Sequence, residues 1–416
     1  MSSPSSLDRS MSAALLRRQQ ISSFRSLTLA PQGSIDFSSN DFLSLSASAS
    51  FRASFQRELS RIAHAPLGSG GSRLLDGNSV YAEDLEVDIA GFLQGKAGLL
   101  FNSGFDANSG FFACVPQPGD VVVYDELIHA SVHEGMRLSR AGRTLPFAHN
   151  DVGALEAVLR ELVDGDQLVR DGKRNVFVAV ETLYSMDGDL APLQGIVDTI
   201  ERVFGGGNGY LIVDEAHSTG VYGDMGRGLV CELGLEEKVF ARLHTFGKAL
   251  ACNGAIILCS PLVRQYLINY ARTLIFTTSL SLPALAAVRA AFTLLWNGDT
   301  RDAQDRLHSS IKHLHNQLSR LTSTANCVLQ NSDQNNTPIV SVLTPKPRLL
   351  AKYLQDRLYL VRPIVYPTVP RGKERVRICV HSANTHEEVD GLVARIGEWV
   401  EQEEKAAAVT DMKANL

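Results

Sequence analysis

A chain of 416 residues with 44% hydrophobic and 20% charged side chains can bury a large core, and reads as one large domain with a smaller one. A net charge of −5 without a basic stripe gives no support to a nucleic-acid partner, and no apolar run reaches the roughly 18 residues of a membrane helix. The six cysteines (Cys114, Cys231, Cys252, Cys259, Cys327 and Cys379) are scattered without a CxxC pair, which predicts reduced core thiols in an intracellular protein rather than disulfides or a metal site.

From Met1 to about Thr28 the chain is rich in Ser and Arg, with Asp8 its only acid. That composition suits a mitochondrial transit peptide. The alternative is an amphipathic first helix, with Leu15 and Leu16 packing while Arg17 and Arg18 face out. Strand-like runs then recur at Leu99–Phe101, Val121–Tyr124, Val176–Glu181, Tyr210–Asp214, Leu243–Thr245 and Ala255–Cys259. Stretches with apolar residues at helical spacing lie at Tyr81–Leu93, His129–Ser139, Val152–Leu162 and Leu193–Phe204. This alternation predicts an α/β fold with a mostly parallel central sheet covered by helices on both faces. From about Leu282 a long helix and then shorter elements suggest a smaller α+β domain. The expected organisation is an N-terminal segment (1–45), a large domain (46–285), a small C-terminal domain (286–404) and a flexible tail (405–416). No internal repeat is visible.

Chemistry enters at Tyr210-Leu-Ile-Val-Asp214, a buried strand pattern ending in a carboxylate. Ligands of open α/β sheets collect at such strand ends. The later run Leu243-His-Thr245-Phe-Gly-Lys248 ends in a hydroxyl and an amine. An acid and a lysine at neighbouring strand ends suit pyridoxal 5'-phosphate, whose ring nitrogen needs an anion and whose aldehyde needs an amine. Asn102-Ser-Gly104-Phe105 follows a strand and opens a helix, whose free N–H donors suit a phosphate. Gly205–Gly209 precedes a strand and is therefore a connecting loop. Leu67–Arg73 is glycine-rich and precedes a helix, and reads either as a turn or as a close approach to a ligand.

Several segments together resemble the α-oxoamine synthases, fold-type-I pyridoxal-phosphate enzymes that condense an amino acid with an acyl-CoA and release CO2. They are Gly68-Ser-Gly-Gly-Ser-Arg73, Asn102-Ser-Gly-Phe105, Asp125-Glu-Leu-Ile-His129-Ala-Ser131, Glu181-Thr-Leu-Tyr-Ser185-Met-Asp-Gly188, Asp214-Glu-Ala-His217-Ser-Thr-Gly220, Gly226-Arg-Gly228 and Thr245-Phe-Gly-Lys248. Pro367-Thr-Val-Pro370 and Arg375-Val-Arg377 complete the series. Phe147-Ala-His-Asn-Asp151 and the Gly-Gly-Ser-Arg and Thr-Phe-Gly-Lys stretches look most like the biotin-pathway branch, which joins L-alanine to a pimeloyl thioester. Two departures, Ala251-Cys-Asn-Gly254 and Ser279-Leu-Ser-Leu-Pro283, bear on the acyl chain rather than on the chemistry.

The resemblance implies an aminotransferase-like transferase with a role for each matched residue. Lys248 would hold the cofactor and remove the α-proton. Asp214 would pair with the ring nitrogen, His217 would bond its phenolic oxygen, and His129 would stack on its face. Phosphate contacts would come from Gly104, Phe105 and Thr245, with Ser185 another pocket contact. Thr277 or Thr278 would serve the neighbouring subunit of a homodimer with shared active sites. Arg377 would bind the substrate carboxylate with Asn40 as companion, and Arg17 would help hold the acyl-CoA. No metal is called for.

Three rivals remain open to different degrees. A nucleotide-dependent oxidoreductase would need a Gly-x-Gly-x-x-Gly turn, which is absent. A non-catalytic partner subunit would lack the lysine. A sister synthase using another acyl thioester, or glycine or serine, is not excluded by sequence. Finally, Lys413-Ala-Asn-Leu416 is a relaxed form of the Ser-Lys-Leu ending, which predicts peroxisomal import ahead of a mitochondrial or cytoplasmic location.

Overall fold

The computed structural model describes residues 5–21, 24–205, 207–321, 328–329 and 337–414. Contacts divide the chain into Met1–Ser34 and Ile35–Leu416. In the first unit, helix α1 (Ser6–Gln20) starts at a capping box in which Ser5 and Asp8 exchange hydrogen bonds. None of its residues is buried, and Leu15 and Leu16 are about half exposed, so the expected packing of that pair is not found. Cys327, Asn415 and Leu416 fall outside the described residues.

The second unit is built on a seven-stranded sheet. Its strands are β1 (Ala97–Phe101), β2 (Val121–Asp125), β3 (Arg143–Phe147), β4 (Val176–Glu181), β5 (Gly209–Asp214), β6 (Ala241–Thr245) and β7 (Ala255–Cys259). Their spatial order is β1-β7-β6-β5-β4-β2-β3. Only β7 runs against its neighbours, so the sheet is mostly parallel, as expected. Central β4 is buried at every position, which is why Val-Phe-Val-Ala-Val reads as a continuous apolar run. Strand β3 is a correction to the sequence reading: Arg143, Thr144 and Pro146 are exposed there. It lies at the sheet edge, where a proline costs no ladder hydrogen bond and one face can stay polar.

Helices cover both faces, among them α2 (Val80–Phe92), α3 (Gly104–Cys114), α4 (Ala130–Leu138), α5 (Val152–Gly165), α6 (Leu193–Val203) and α7 (Leu282–Trp296). Most begin at a side-chain cap that satisfies a first-turn N–H, including Ser79, Ser103, Asp151 and Ser281. Past α7, helix α8 (Arg301–Leu318) precedes strands β8 (Val328–Leu329), β9 (Ile339–Leu343), β10 (Arg362–Ile364) and β11 (Arg375–Cys379). These form a second sheet in the order β10-β11-β9-β8. The final helix α9 (His386–Ala414) carries regular backbone through the stretch expected to be a flexible tail. Of the five described cysteines, all unpaired, Cys114, Cys252, Cys259 and Cys379 are buried and Cys231 is only partly so.

Four parallel strands end at one edge of the large sheet in Asp125, Glu181, Asp214 and Thr245. Register makes Glu181 the direct neighbour of Asp214, so two acids lie side by side where the loops begin.

Candidate active site

Asp214 closes the apolar strand β5 and is 7% exposed. Its Oδ2 accepts from Asn108 Nδ2 at 2.7 Å, and its Oδ1 accepts from the Ala216 N–H at 2.9 Å. The same Asn108 amide reaches Ser131 Oγ at 3.0 Å, which lies 2.7 Å from His129 Nδ1. A continuous chain of hydrogen bonds thus ties Asp214 on β5 to His129, the cap of α4, by way of α3. The Ser131 N–H also donates to His129 Nδ1 at 3.2 Å, which makes that nitrogen an acceptor and leaves the ring neutral with its proton on Nε2. Burial lowers the His129 pKa, and the charge of Lys248 adds to the effect while Asp214 opposes it. Asn108 escaped the sequence reading, and Ser131 was quoted there only as part of a motif, without a role. Asn108 looks like an ordinary helical position, and only the fold turns it toward Asp214.

His217 follows Asp214 on a tight turn and is 4% exposed. Its Nδ1 has no hydrogen-bond partner among the described residues, and such a buried orphan calls for a ligand atom. Burial holds the ring well below its ordinary pKa, helped by the positive charges of Lys248 and Arg377. Lys248 lies past the end of β6 and is partly buried. Desolvation pulls its ammonium down to about 8, against the opposing pull of Asp214 and Glu181 and with a further push from Arg377. An amine so tuned gives up its proton far more readily than an ordinary lysine, which suits a nucleophile and base. Glu181 is a further residue that sequence reasoning quoted without giving it a role. Burial first, then the charges of Asp214 and Asp125, raise its pKa well above the ordinary range.

The start of α3 faces Thr245. A Cβ on Gly104 would lie 3.3 Å from both Thr245 Cβ and Oγ1, so only a small residue fits this approach. Ser103 caps the helix through the Asp106 N–H, leaving the N–H groups of Gly104 and Phe105 in the unsatisfied first turn. Asn102, just before it, donates to Thr277 Oγ1 at 3.3 Å and to the Thr278 carbonyl at 2.6 Å. Both threonines therefore contact their own chain beside this helix end. Ser185 is half-buried in the loop closed by the Leu183–Leu190 bridge.

The two arginines of β11 share a face but not an environment. Arg375 is 2% exposed and is neutralised by Asp187, with further bonds to the carbonyls of Met186 and Lys373. Arg377 has no carboxylate within ion-pair distance among the described residues. Its Nη2 donates to Asn40 Oδ1 at 2.5 Å, and its charge is felt at both Lys248 and His217. Arg17 lies on α1, in the other unit.

These residues fit pyridoxal phosphate. An anion at a strand end, a depressed lysine, a buried imidazole nitrogen without a partner and a helix start cradled by glycine match its ring nitrogen, aldehyde, phenolic oxygen and phosphate in turn.

The model of the aminotransferase class I and II family matches residues 32–396. The chain is 52% identical to the 8-amino-7-oxononanoate synthase of Emericella nidulans, over 98% of this chain and 99% of that one. It is 40% identical to the aminoacyl transferase sphA of Aspergillus fumigatus, over 88% of this chain and 81% of that protein. Among solved structures, the serine palmitoyltransferase of Sphingomonas wittichii superposes with a TM-score of 0.80 at 23% identity, covering 95% of this chain and 98% of that one.

Proposed function

The chain belongs to the class I and II aminotransferase family of pyridoxal-phosphate-dependent enzymes, and on that premise we propose that it is an 8-amino-7-oxononanoate synthase. The reaction condenses L-alanine with pimeloyl-CoA, or another pimeloyl thioester, and yields 8-amino-7-oxononanoate, CoA and CO2. The observation that carries this reading is the 52% identity to a protein of that name along nearly the whole of both chains.

When bound, pyridoxal phosphate supplies an electron sink for the carbanion at the amino acid's Cα. Asp214, held by Asn108 and the Ala216 N–H, keeps its carboxylate facing the ring nitrogen. His217 offers its unpartnered Nδ1, and His129 a neutral ring face. Thr245 and the first turn of α3 bind phosphate, and Ser185 is a further contact of the cofactor pocket. Arg377 and Asn40 grip the substrate carboxylate, which positions the Cα–H bond for Lys248. The neutral Lys248 amine takes that proton. A C–C bond then forms from Cα to the thioester carbon as the C–S bond breaks and CoA thiolate leaves. The carboxylate of the former amino acid departs as CO2, and Lys248 returns a proton to the same carbon.

A second reading is a sister α-oxoamine synthase acting on another thioester or on glycine or serine. It is favoured by the 40% identity to an aminoacyl transferase and by the fold shared with serine palmitoyltransferase. A panel of alanine, glycine and serine against pimeloyl-CoA and long-chain acyl-CoAs, scored by free thiol, separates the two. Thiol release fastest with alanine and pimeloyl-CoA is expected; a preference for serine with a long chain would overturn the assignment.

Two further parts of the proposal concern assembly and address. The enzyme acts as a homodimer with shared active sites, with Thr277 or Thr278 reaching the partner's phosphate pocket. Support comes from large apolar side chains left exposed beside these residues in the chain: Phe105, in the first turn of α3, and Phe276, next to Thr277. Import into peroxisomes through Lys413–Leu416 is supported by the ending itself and by a thioester that β-oxidation can supply.

A further inference from the structure

Arg375, Arg377 and Cys379 alternate along β11, so all three side chains leave one face of the strand. The Arg377 guanidinium turns back onto Cys379: its Nε and its Nη2 each lie 3.2 Å from the thiol sulfur. Nη2 also donates to Asn40 Oδ1, 2.5 Å away. The edge of the guanidinium formed by Nε and Nη2, one of the two that could take a carboxylate side-on, is therefore occupied. Nη1 has no hydrogen-bond partner among the described residues. Asn40, whose oxygen is spent on Arg377, has its amide Nδ2 likewise unpartnered there.

A half-buried cation that lacks a carboxylate and is felt at Lys248 and His217 marks a place built to receive an anion. Cys379 is fully buried, and burial pushes its thiol above the ordinary range, with Arg377 pulling the other way. The sulfur therefore serves as a neutral thiol that accepts hydrogen bonds, not as a competing thiolate that would quench Arg377.

We propose that Cys379 is the positioning residue of the substrate-carboxylate site: its sulfur fixes the plane of Arg377 so that the carboxylate is divided between Arg377 Nη1 and Asn40 Nδ2. The inference rests on Arg377 as the carboxylate ligand, as proposed above, and adds what orients it. Binding through two residues, rather than through one guanidinium edge, ties recognition of the carboxylate to the strap carrying Asn40. That strap is itself fastened to the small sheet, because the Cys379 N–H donates to the Phe37 carbonyl at 2.8 Å.

The test is equilibrium binding of L-alanine to the holoenzyme without acyl-CoA, followed through the cofactor's absorbance, with ethylamine as a probe lacking the carboxylate. Cys379→Ala should weaken alanine by about three- to tenfold, the loss of one or two modest acceptor bonds, and leave ethylamine unchanged. Cys379→Ser should restore alanine affinity to within about twofold, since a hydroxyl accepts the same N–H groups. In an Arg377→Ala background, Cys379→Ala should have no further effect, because the thiol acts only through the guanidinium. Should Cys379→Ala fail to fold, Cys379→Val against Cys379→Ser makes the same comparison of packing without and with an acceptor. If Arg377→Ala weakens alanine while Cys379→Ala and Cys379→Val do not, or if the Cys379 effect persists without Arg377, the positioning role is overturned. If Arg377→Ala itself leaves alanine affinity intact, the underlying assignment of Arg377 fails instead.

Discussion

In the proposed mechanism Lys248 meets two demands, capture of the cofactor and removal of a proton, and both need a neutral amine. Its free pKa of about 8 sets the pH at which an empty site can take up pyridoxal phosphate. The rate of reconstitution of the cofactor-free enzyme should rise with pH through about 8 and level off above it. A rate that climbs only above about pH 10, where an ordinary lysine loses its proton, would show that the amine is not desolvated. Lys248→Ala should abolish condensation while the fold persists by circular dichroism; turnover at even about a tenth of the unsubstituted rate would refute its role. The two arginines of β11 make a sharper comparison. Arg377→Ala should raise the KM for the amino acid by roughly 10- to 150-fold, the range of about 1.5–3 kcal/mol for a charged hydrogen bond. Arg375→Ala removes the partner of buried Asp187 and should lower stability instead, with a smaller effect on KM. Sequence offered both arginines on one strand; what separates them is Asp187, 188 positions away, which no local pattern reveals.

At the level of elements, loops that follow separate strands are clamped by one histidine. His149 Nδ1 lies 2.8 Å from Asp125 Oδ1 and its Nε2 lies 2.6 Å from Asp189 Oδ2. Asp125 also accepts the N–H groups of Leu127 and Asn150, both at 2.9 Å, so the turn leading to His129 hangs on this carboxylate. Burial alone would discharge the His149 ring, but the hydrogen bonds to Asp125 and Asp189 hold it charged, up to about 10. Because the folded value exceeds the unfolded one of about 6.5, the stabilisation is fully present below about pH 6.5. It is lost as pH rises through about 10. His149→Gln should therefore cost about 3–5 kcal/mol near neutral pH, as breaking a buried pair does, and the deficit should shrink in alkali. A deficit independent of pH between 6 and 11 in denaturant titrations would contradict the charged clamp. The Phe147–Asp151 motif was visible in the sequence as a family mark, but its partners were not. Strand β3, which delivers it, was missed because an edge strand with Arg143, Thr144 and Pro146 carries little apolar alternation. The central strands were legible because burial on both faces writes itself as unbroken Val, Ile and Phe.

Across the whole molecule, the parallel sheet explains why distant motifs converge. Asp125, Glu181, Asp214 and Thr245 end neighbouring strands, so chemistry spread over more than a hundred residues meets at one edge. The order of motifs along the chain foretold that meeting, whereas the links between them, Asn108 to Asp214 and Ser131 to His129, required the fold. The proposed dimer predicts that sedimentation will give twice the 45.2 kDa chain mass. A monomer with full activity would contradict shared sites. For peroxisomal import, a fluorescent protein fused to the N-terminus should give puncta that vanish when the last three residues are removed. Diffuse fluorescence from the intact tail would contradict it. The central claim is a decarboxylative condensation of alanine with a pimeloyl thioester. It is tested most directly by supplying the holoenzyme with pimeloyl-CoA and L-alanine labelled with carbon-13 in the carboxyl group, and weighing the products. The account predicts unlabelled 8-amino-7-oxononanoate with all the label in CO2; a labelled condensation product, or none from this pair while another amino acid and thioester react, would contradict it.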